Sequence, residues 1–140
     1  MDHQLRRAAL TPSIEEQAVD AILVTQPSNV RYLTGFTGSN AQAIVSPSAG
    51  VFLTDGRYTE QSRHEVPDME RVTYLEAFFE PVAEACRTSG VARLGFEDHH
   101  VTVKVLEQLQ QKVIGVEFVA VGEPVEQLRW EGRGGTRVAS

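Results

Sequence analysis

Ala21, Ile22, Leu23, Val24 and Thr25 form a short run with no charged residue, closed by Gln26, Pro27, Ser28 and Asn29. Successive side chains on a strand point to opposite faces, so a strand apolar at both odd and even positions has to be covered on both sides. That favours a layered α/β architecture, in which helices pack on the two faces of a sheet, over a sandwich with one wet face. The Pro27 to Asn29 stretch is the expected exit loop.

The rest of the chain fits this frame. Leu5, Ala8 and Ala9 suggest an opening helix, broken near Pro12, with Ser13 and Glu16 spaced as a capping box for its restart. Val30 and Leu33, followed by Gly35 and Gly38, read as a single helical turn running into a glycine-bearing loop. Ala41 to Ser46 and Val51 to Thr54 are strand-like and are separated by Pro47, Ser48, Ala49 and Gly50, the signature of a hairpin. Beyond it come a polar helix from Tyr58 to Glu65, a strand over Glu70 to Leu75, and a helix over Glu80 to Thr88 with Val82, Ala83 and Cys86 on one face. Arg93 to Phe96 is a further strand. Val101, Val105, Leu106, Leu109 and Val113 mark a helix capped by Thr102 or Asp98, Glu117 to Val121 is the last strand, and Val125 to Trp130 looks helical. The expectation is a mixed sheet of five to six strands, including one hairpin, flanked by helices.

A chain of 140 residues has the length of one domain, which buries about two-thirds of the surface of its unfolded form. The ordered domain is expected over residues 1–129. Residues 130–140, rich in glycine and arginine after Glu131, are expected to be a linker or flexible tail. Thirteen basic and nineteen acidic residues give a net charge of −6 with no cluster of cations among aromatics, which argues against a nucleic-acid partner. No apolar stretch approaches the ~20 residues needed to span a bilayer. Arg6 and Arg7 are followed by polar residues rather than by the apolar stretch of a secretory signal, so a cytoplasmic location is expected. Cys86 is the single cysteine and its surroundings favour a core position over a reactive thiol.

Local catalytic patterns are missing. There is no His-Glu-x-x-His zinc helix, no nucleophile elbow and no phosphate-binding Walker loop. His99 and His100 are adjacent, which strains joint ligation of a metal and favours surface or capping roles. The loop from Gly35 to Ala41 can cradle an anion through backbone amides, but no lysine follows it. Asp55, Gly56, Arg57 and Tyr58 place an acid, a flexible joint, a guanidinium and a phenol together; either they bind a peptide terminus or they tie a turn.

Three motifs occur in order: DAILVT at 20–25, SNVRYLTGFTGS at 28–39 and FLTDGRY at 52–58, with weaker agreement through LGFE at 94–97 and the 101–113 helix. Together they resemble the N-terminal domain of the creatinase, prolidase and Xaa-Pro aminopeptidase family over residues 2–129. The resemblance implies a ribonuclease H-like topology and a following "pita-bread" catalytic domain that holds two divalent metal ions, commonly manganese. It implies that this chain holds no metal ligand or catalytic residue and does not hydrolyse peptides alone, while the parent protein is a proline-specific metallopeptidase acting on Xaa-Pro peptides as a homodimer. Phe36, Thr37, Ser39 and Arg57 are the implied substrate-facing residues. Asn29, Tyr32, Gly35, Gly38, Asp55, Gly56 and Tyr58 are the implied structural motif. After Arg129 the sequence departs from the family pattern. A stand-alone dimerisation or binding module and the N-terminal domain of a creatinase-like hydrolase are the alternatives.

Overall fold

The computed structural model describes residues 2–132. The first helix, α1 (His3–Ala8), is capped by the Asp2 carboxylate, which accepts from the Leu5 N–H, and α2 (Thr11–Glu16) follows with Pro12 in its first turn. The expected capping box is not used. Ser13 lies inside α2, and the residue at the N-cap is Leu10, because Thr11 and Pro12 already adopt helical geometry. Strand β1 (Ala21–Val24) is buried throughout.

Helix α3 (Pro27–Thr34) begins earlier than the single turn expected from Val30 and Leu33. Pro27 presets the first helical φ and the Gln26 side chain accepts from the Asn29 N–H, so the exit loop is itself the helix start. The helix ends at Gly35, whose φ of 83° is left-handed and whose N–H donates to the Arg31 carbonyl. A side chain there is doubly excluded, since a Cβ would also stand 2.7 Å from the His3 ring.

Strands β2 (Ala41–Val45) and β3 (Gly50–Asp55) form the hairpin that the turn residues indicated. A 3-10 turn at Gly56–Tyr58 leads into α4 (Thr59–Glu65), then come β4 (Glu70–Tyr74), α5 (Phe79–Ser89), β5 (Arg93–Phe96), α6 (Val103–Lys112) and β6 (Glu117–Ala120). Thr102, not Asp98, caps α6 by accepting from the Val105 N–H. The last helix, α7 (Pro124–Gly132), contains the Val125 to Trp130 stretch that reads as helical and extends through Glu131 and Gly132, which the composition had assigned to a tail. Its early turns are anchored by buried Val125 and Glu126, so helix propagation carries past Arg129. The rest of that tail, residues 133–140, lies outside the described residues.

The six strands are ordered β4-β3-β2-β1-β5-β6. The meander β1-β2-β3 is antiparallel, while β4 joins β3, β5 joins β1 and β6 joins β5 in parallel. This is the expected ribonuclease H-like arrangement with β4 added beside β3. Alternation along β1 sends Ile22 and Val24 into a core with Leu10, Ile14, Leu33 and Phe52, and sends Ala21 and Leu23 into a second core with Val82, Cys86, Leu94 and Leu109. The two cores lie on opposite faces of the sheet and explain why a strand of only four residues needs no polar position. Fully burying each Leu, Ile or Val side chain contributes roughly 1.5–3 kcal/mol. Gly95 of β5 sits where β1 and β6 press together, with Val121 Cγ1 2.6 Å from the place of a Cβ.

One topological fact positions everything that follows. The carboxyl ends of β1, β3, β4, β5 and β6 and the amino end of β2 all emerge at the same edge of the sheet. From β1 the strands continue outward as β2, β3 and β4 on one side, while β5 and β6 continue outward on the other, and this reversal of strand order between β1 and β5 makes a switch point. In open α/β sheets ligands bind in the crevice outside the carboxyl strand ends at such a point.

Candidate functional site at the carboxyl end of the sheet

Two of the motifs meet here. The Gly35–Asn40 loop enters β2, and Asp55 to Tyr58 leave β3 beside it. Phe36 is 2% exposed, and its ring makes edge contacts with Phe52 at 5.0 Å and Tyr58 at 5.3 Å. Of the four residues expected to face substrate, Phe36 is therefore in the core, while Thr37, Ser39 and Arg57 are exposed. Gly38 makes the packing possible: a Cβ would stand 2.4 Å from Phe36 Cζ and 2.9 Å from Tyr58 Cε1. The Ser39 hydroxyl lies 2.6 Å from the Tyr58 hydroxyl, and this bond holds the phenol somewhat below its ordinary pKa.

The loop does cradle an anion, but the anion is its own. Glu65 accepts from the Thr37 N–H at 2.8 Å and from the Thr37 hydroxyl at 2.9 Å. Burial pushes the Glu65 carboxyl up, but these bonds and the Gln61 amide outweigh it and the net direction is down.

Arg57 is likewise engaged from within. Its Nε and Nη2 donate to the two oxygens of Asp55, each at 2.9 Å, and its own N–H also donates to Asp55. Asn40 adds a bond at 2.8 Å. The Arg57 guanidinium, with Asn40 and the Arg57 N–H, holds the Asp55 carboxyl far below the usual carboxylate range. The edge of the guanidinium best shaped for a carboxylate therefore already braces the strand end, and Nη1 has no acceptor among the described residues. Gly56 starts the 3-10 turn without a positive φ and without an atom within 4 Å of a would-be Cβ, so nothing in the structure requires glycine there.

A second cluster, of which the sequence reading named Asn29, Tyr32, His99 and His100 but gave Glu97, Glu126 and Arg129 no role, lies across the same edge. Glu97, 0% exposed, accepts from the N–H groups of Thr25 and Gln26 at 2.7 and 2.8 Å and from Asn29 Nδ2 at 2.8 Å. The same Asn29 Nδ2 donates to Glu126 at 2.8 Å, and Asn29 Oδ1 accepts from Arg129 at 2.7 Å. One fully buried amide thus joins β5, α3 and α7. Tyr32 adds to this junction by lying under Arg6, whose guanidinium carbon is 4.1 Å from the ring centre. The two histidines part company: His99 Nε2 meets Glu126 at 2.7 Å, while His100 Nδ1 meets the Thr25 hydroxyl at 2.9 Å. The only local signal for this cluster is the i, i+3 spacing of Glu126 and Arg129, which places both on one helix face.

No group of three or more His, Cys, Asp or Glu side chains among the described residues is placed to hold a metal ion. The carboxylates of Asp55, Glu65 and Glu97 are engaged by Arg57, Thr37 and the β1–α3 amides. No described helix is long and apolar enough to cross a membrane.

Comparison with known proteins follows the same outline. An uncharacterized peptidase of Bacillus subtilis, YqhT, is 37% identical over 111 residues, which are 79% of this chain and 31% of that protein. The solved N-terminal domain of the cytoplasmic peptidase PepQ of Mycobacterium tuberculosis is 38% identical and superposes with a TM-score of 0.80 over 89% of this chain and 98% of that one. An Xaa-Pro dipeptidase of Bacillus anthracis superposes at 0.87 with 27% identity, over 92% of this chain and 36% of its own. The chain thus spans about a third of the length of the curated relatives it matches. The family model of the creatinase/prolidase N-terminal domain matches residues 6–130, and the chain belongs to that family.

Proposed function

We propose that this chain is the accessory N-terminal domain of a cytoplasmic Xaa-Pro peptidase, of the aminopeptidase or dipeptidase type, and that the carboxyl end of its sheet shapes the approach of the peptide. The observation that carries this reading is the family match over residues 6–130 together with the meeting of the 35–39 and 55–58 segments at the sheet's switch point. In this reading Thr37 and Ser39 present hydroxyls and Arg57 presents Nη1 to the peptide beside the Tyr58 ring, which buried Phe36 braces from below. Hydrolysis belongs to a catalytic domain following this one, with divalent ions, manganese by resemblance, held there. The working protein is a homodimer to which this domain contributes contacts.

The test is a fusion in which this chain replaces the N-terminal third of the Bacillus anthracis Xaa-Pro dipeptidase. The fusion is expected to cleave Xaa-Pro dipeptides in the presence of manganese, and the 140-residue chain alone is not. Thr37→Ala, Ser39→Ala and Arg57→Met are expected to raise KM several-fold with a smaller effect on kcat. A folded but inactive fusion, with the chain alone forming dimers in solution, would replace this reading by that of a stand-alone dimerisation module.

A further inference from the structure

A cleft of about 390 Å³ opens at the switch point between the start of β2, the β1–α3 corner and α6. Its volume lies in the range of small-molecule sites. Pro27, Ala41, Phe78, Val101 and Val105 supply an apolar wall, and Ser39, Asn40, Gln42, Thr102 and His100 supply polar groups. No Lys, Arg, Asp or Glu among the described residues lines it, so recognition there rests on hydrogen bonds and apolar contact rather than on a direct ion pair.

Most of the polar groups are occupied. Gln42 Oε1 accepts from the Tyr74 hydroxyl at 2.8 Å, and Asn40 Oδ1 accepts from Gln42 at 3.2 Å. Thr102 caps α6 and Ser39 is bonded to Tyr58. His100 differs. Its Nδ1 is 2.9 Å from the Thr25 hydroxyl, and that hydroxyl is 3.3 Å from Oε1 of the buried Glu97. A carboxylate can only accept, so the hydroxyl proton is directed to Glu97 and the hydroxyl in turn accepts from His100 Nδ1–H. The buried carboxylate thereby fixes the tautomer of the imidazole at one remove and leaves Nε2 as a lone-pair acceptor on a ring that lines the cleft.

We infer that the cleft is an amine site: His100 Nε2 accepts a hydrogen bond from a protonated primary amine whose short apolar substituent lies against Phe78 and Val105. The carboxylate behind Thr25 adds a favourable field for a cation. The assignment rests on the reading of this edge as the one that meets a peptide, whose free amino end has this chemistry.

The probe is leucinamide, which offers the amine and the apolar group without a carboxylate, titrated into the 140-residue chain at neutral pH. Long-range 1H–15N spectra are expected to show His100 protonated on Nδ1 in the free chain, and leucinamide is expected to shift the His100 and Phe78 ring signals saturably. N-acetylleucinamide, which lacks the cation, is expected to bind at least about tenfold more weakly. His100→Asn keeps a bond to Thr25 but, being shorter, withdraws the acceptor from the position of Nε2, and is expected to weaken leucinamide by about tenfold with an unchanged fold. An Nε2–H tautomer, unmoved ring signals, or equal affinity in His100→Asn overturns the assignment. Leucinamide binding by the chain beside an inactive fusion keeps the amine site and removes the peptidase reading; an active fusion with no leucinamide binding does the reverse.

Discussion

Asn29→Leu is the substitution that tests the architecture most severely. Asn29 is 0% exposed, and its amide makes three bonds, each to a charged group: to Glu97 and Glu126 at 2.8 Å and from Arg129 at 2.7 Å. A hydrogen bond to a charged group contributes about 1.5–3 kcal/mol, so a simple sum reaches roughly 5–9 kcal/mol. That sum is too large. Glu97 keeps the Thr25 and Gln26 amides, Glu126 keeps His99, and Arg129 is only half-buried and can turn to water. A loss of about 3–5 kcal/mol remains, a large share of the ~5–15 kcal/mol that holds a domain together. With an unfolding entropy near 2.1 cal/mol/K per residue, it lowers Tm by about 10–17 °C. Urea unfolding followed by far-UV circular dichroism measures the loss directly. Asn29→Asp is expected to be worse at neutral pH, because a third carboxylate then faces two others, and to recover as the pH falls. A loss below about 1 kcal/mol for Asn29→Leu would refute the claim that this amide joins α7 to the sheet.

Three further outcomes are expected. Gly38→Ala drives a methyl into the Phe36 and Tyr58 rings and should cost about 1–3 kcal/mol in urea unfolding, with the Tyr58 signals shifted. The Asp55 carboxyl has its pKa depressed in the folded chain, so its stabilising contribution is present above the ordinary carboxylate value and is lost only as the pH falls through the lower folded value. A carboxyl-carbon NMR titration should show Asp55 still ionised when the other aspartates have protonated, and Arg57→Met should return it toward the ordinary range. Burial pushes the Cys86 thiol up to about 11, so it should be nearly inert to Ellman's reagent at pH 8 in the folded chain and react at once in 8 M urea. Its sign is opposite to that of Asp55: the contribution of the buried neutral thiol is fully present below the unfolded thiol value and is lost as the pH rises through the folded value of about 11.

What could be read from the sequence is what local pattern encodes. The apolar run at 21–24 specified a doubly covered strand, and Pro47 to Gly50 specified a hairpin, because burial and turn geometry act over a few residues. Cys86 was recognisable as core from the spacing of Val82 and Ala83. The early start of α3 was misjudged because Pro27 to Asn29 carry both turn and helix-start signals, and only tertiary packing decides between them. The Ser13 and Glu16 pair fitted a capping box but lay within a helix already begun at Thr11. The Asp55, Arg57 and Tyr58 group was legible with two roles open, and the structure shows Arg57 turned back onto Asp55 to tie the turn; nothing local says that Thr37 binds Glu65. The Glu97, Glu126 and Arg129 cluster was invisible for the same reason. An acidic residue after a strand ordinarily faces water, and its burial depends on partners dozens of residues away.

That separation has a consequence for how the chain is made. The Asn29 bonds to Glu97, Glu126 and Arg129 join residues 68, 97 and 100 positions apart. β1 is synthesised some seventy residues before its parallel neighbour β5, and the last of the Asn29 partners comes later still. Loop closure on this scale is slow compared with hairpin formation, so β2 and β3 can pair while one edge of β1 is still bare. During that interval a strand that the finished fold covers on both faces has an open edge, the kind of edge that can pair with other chains.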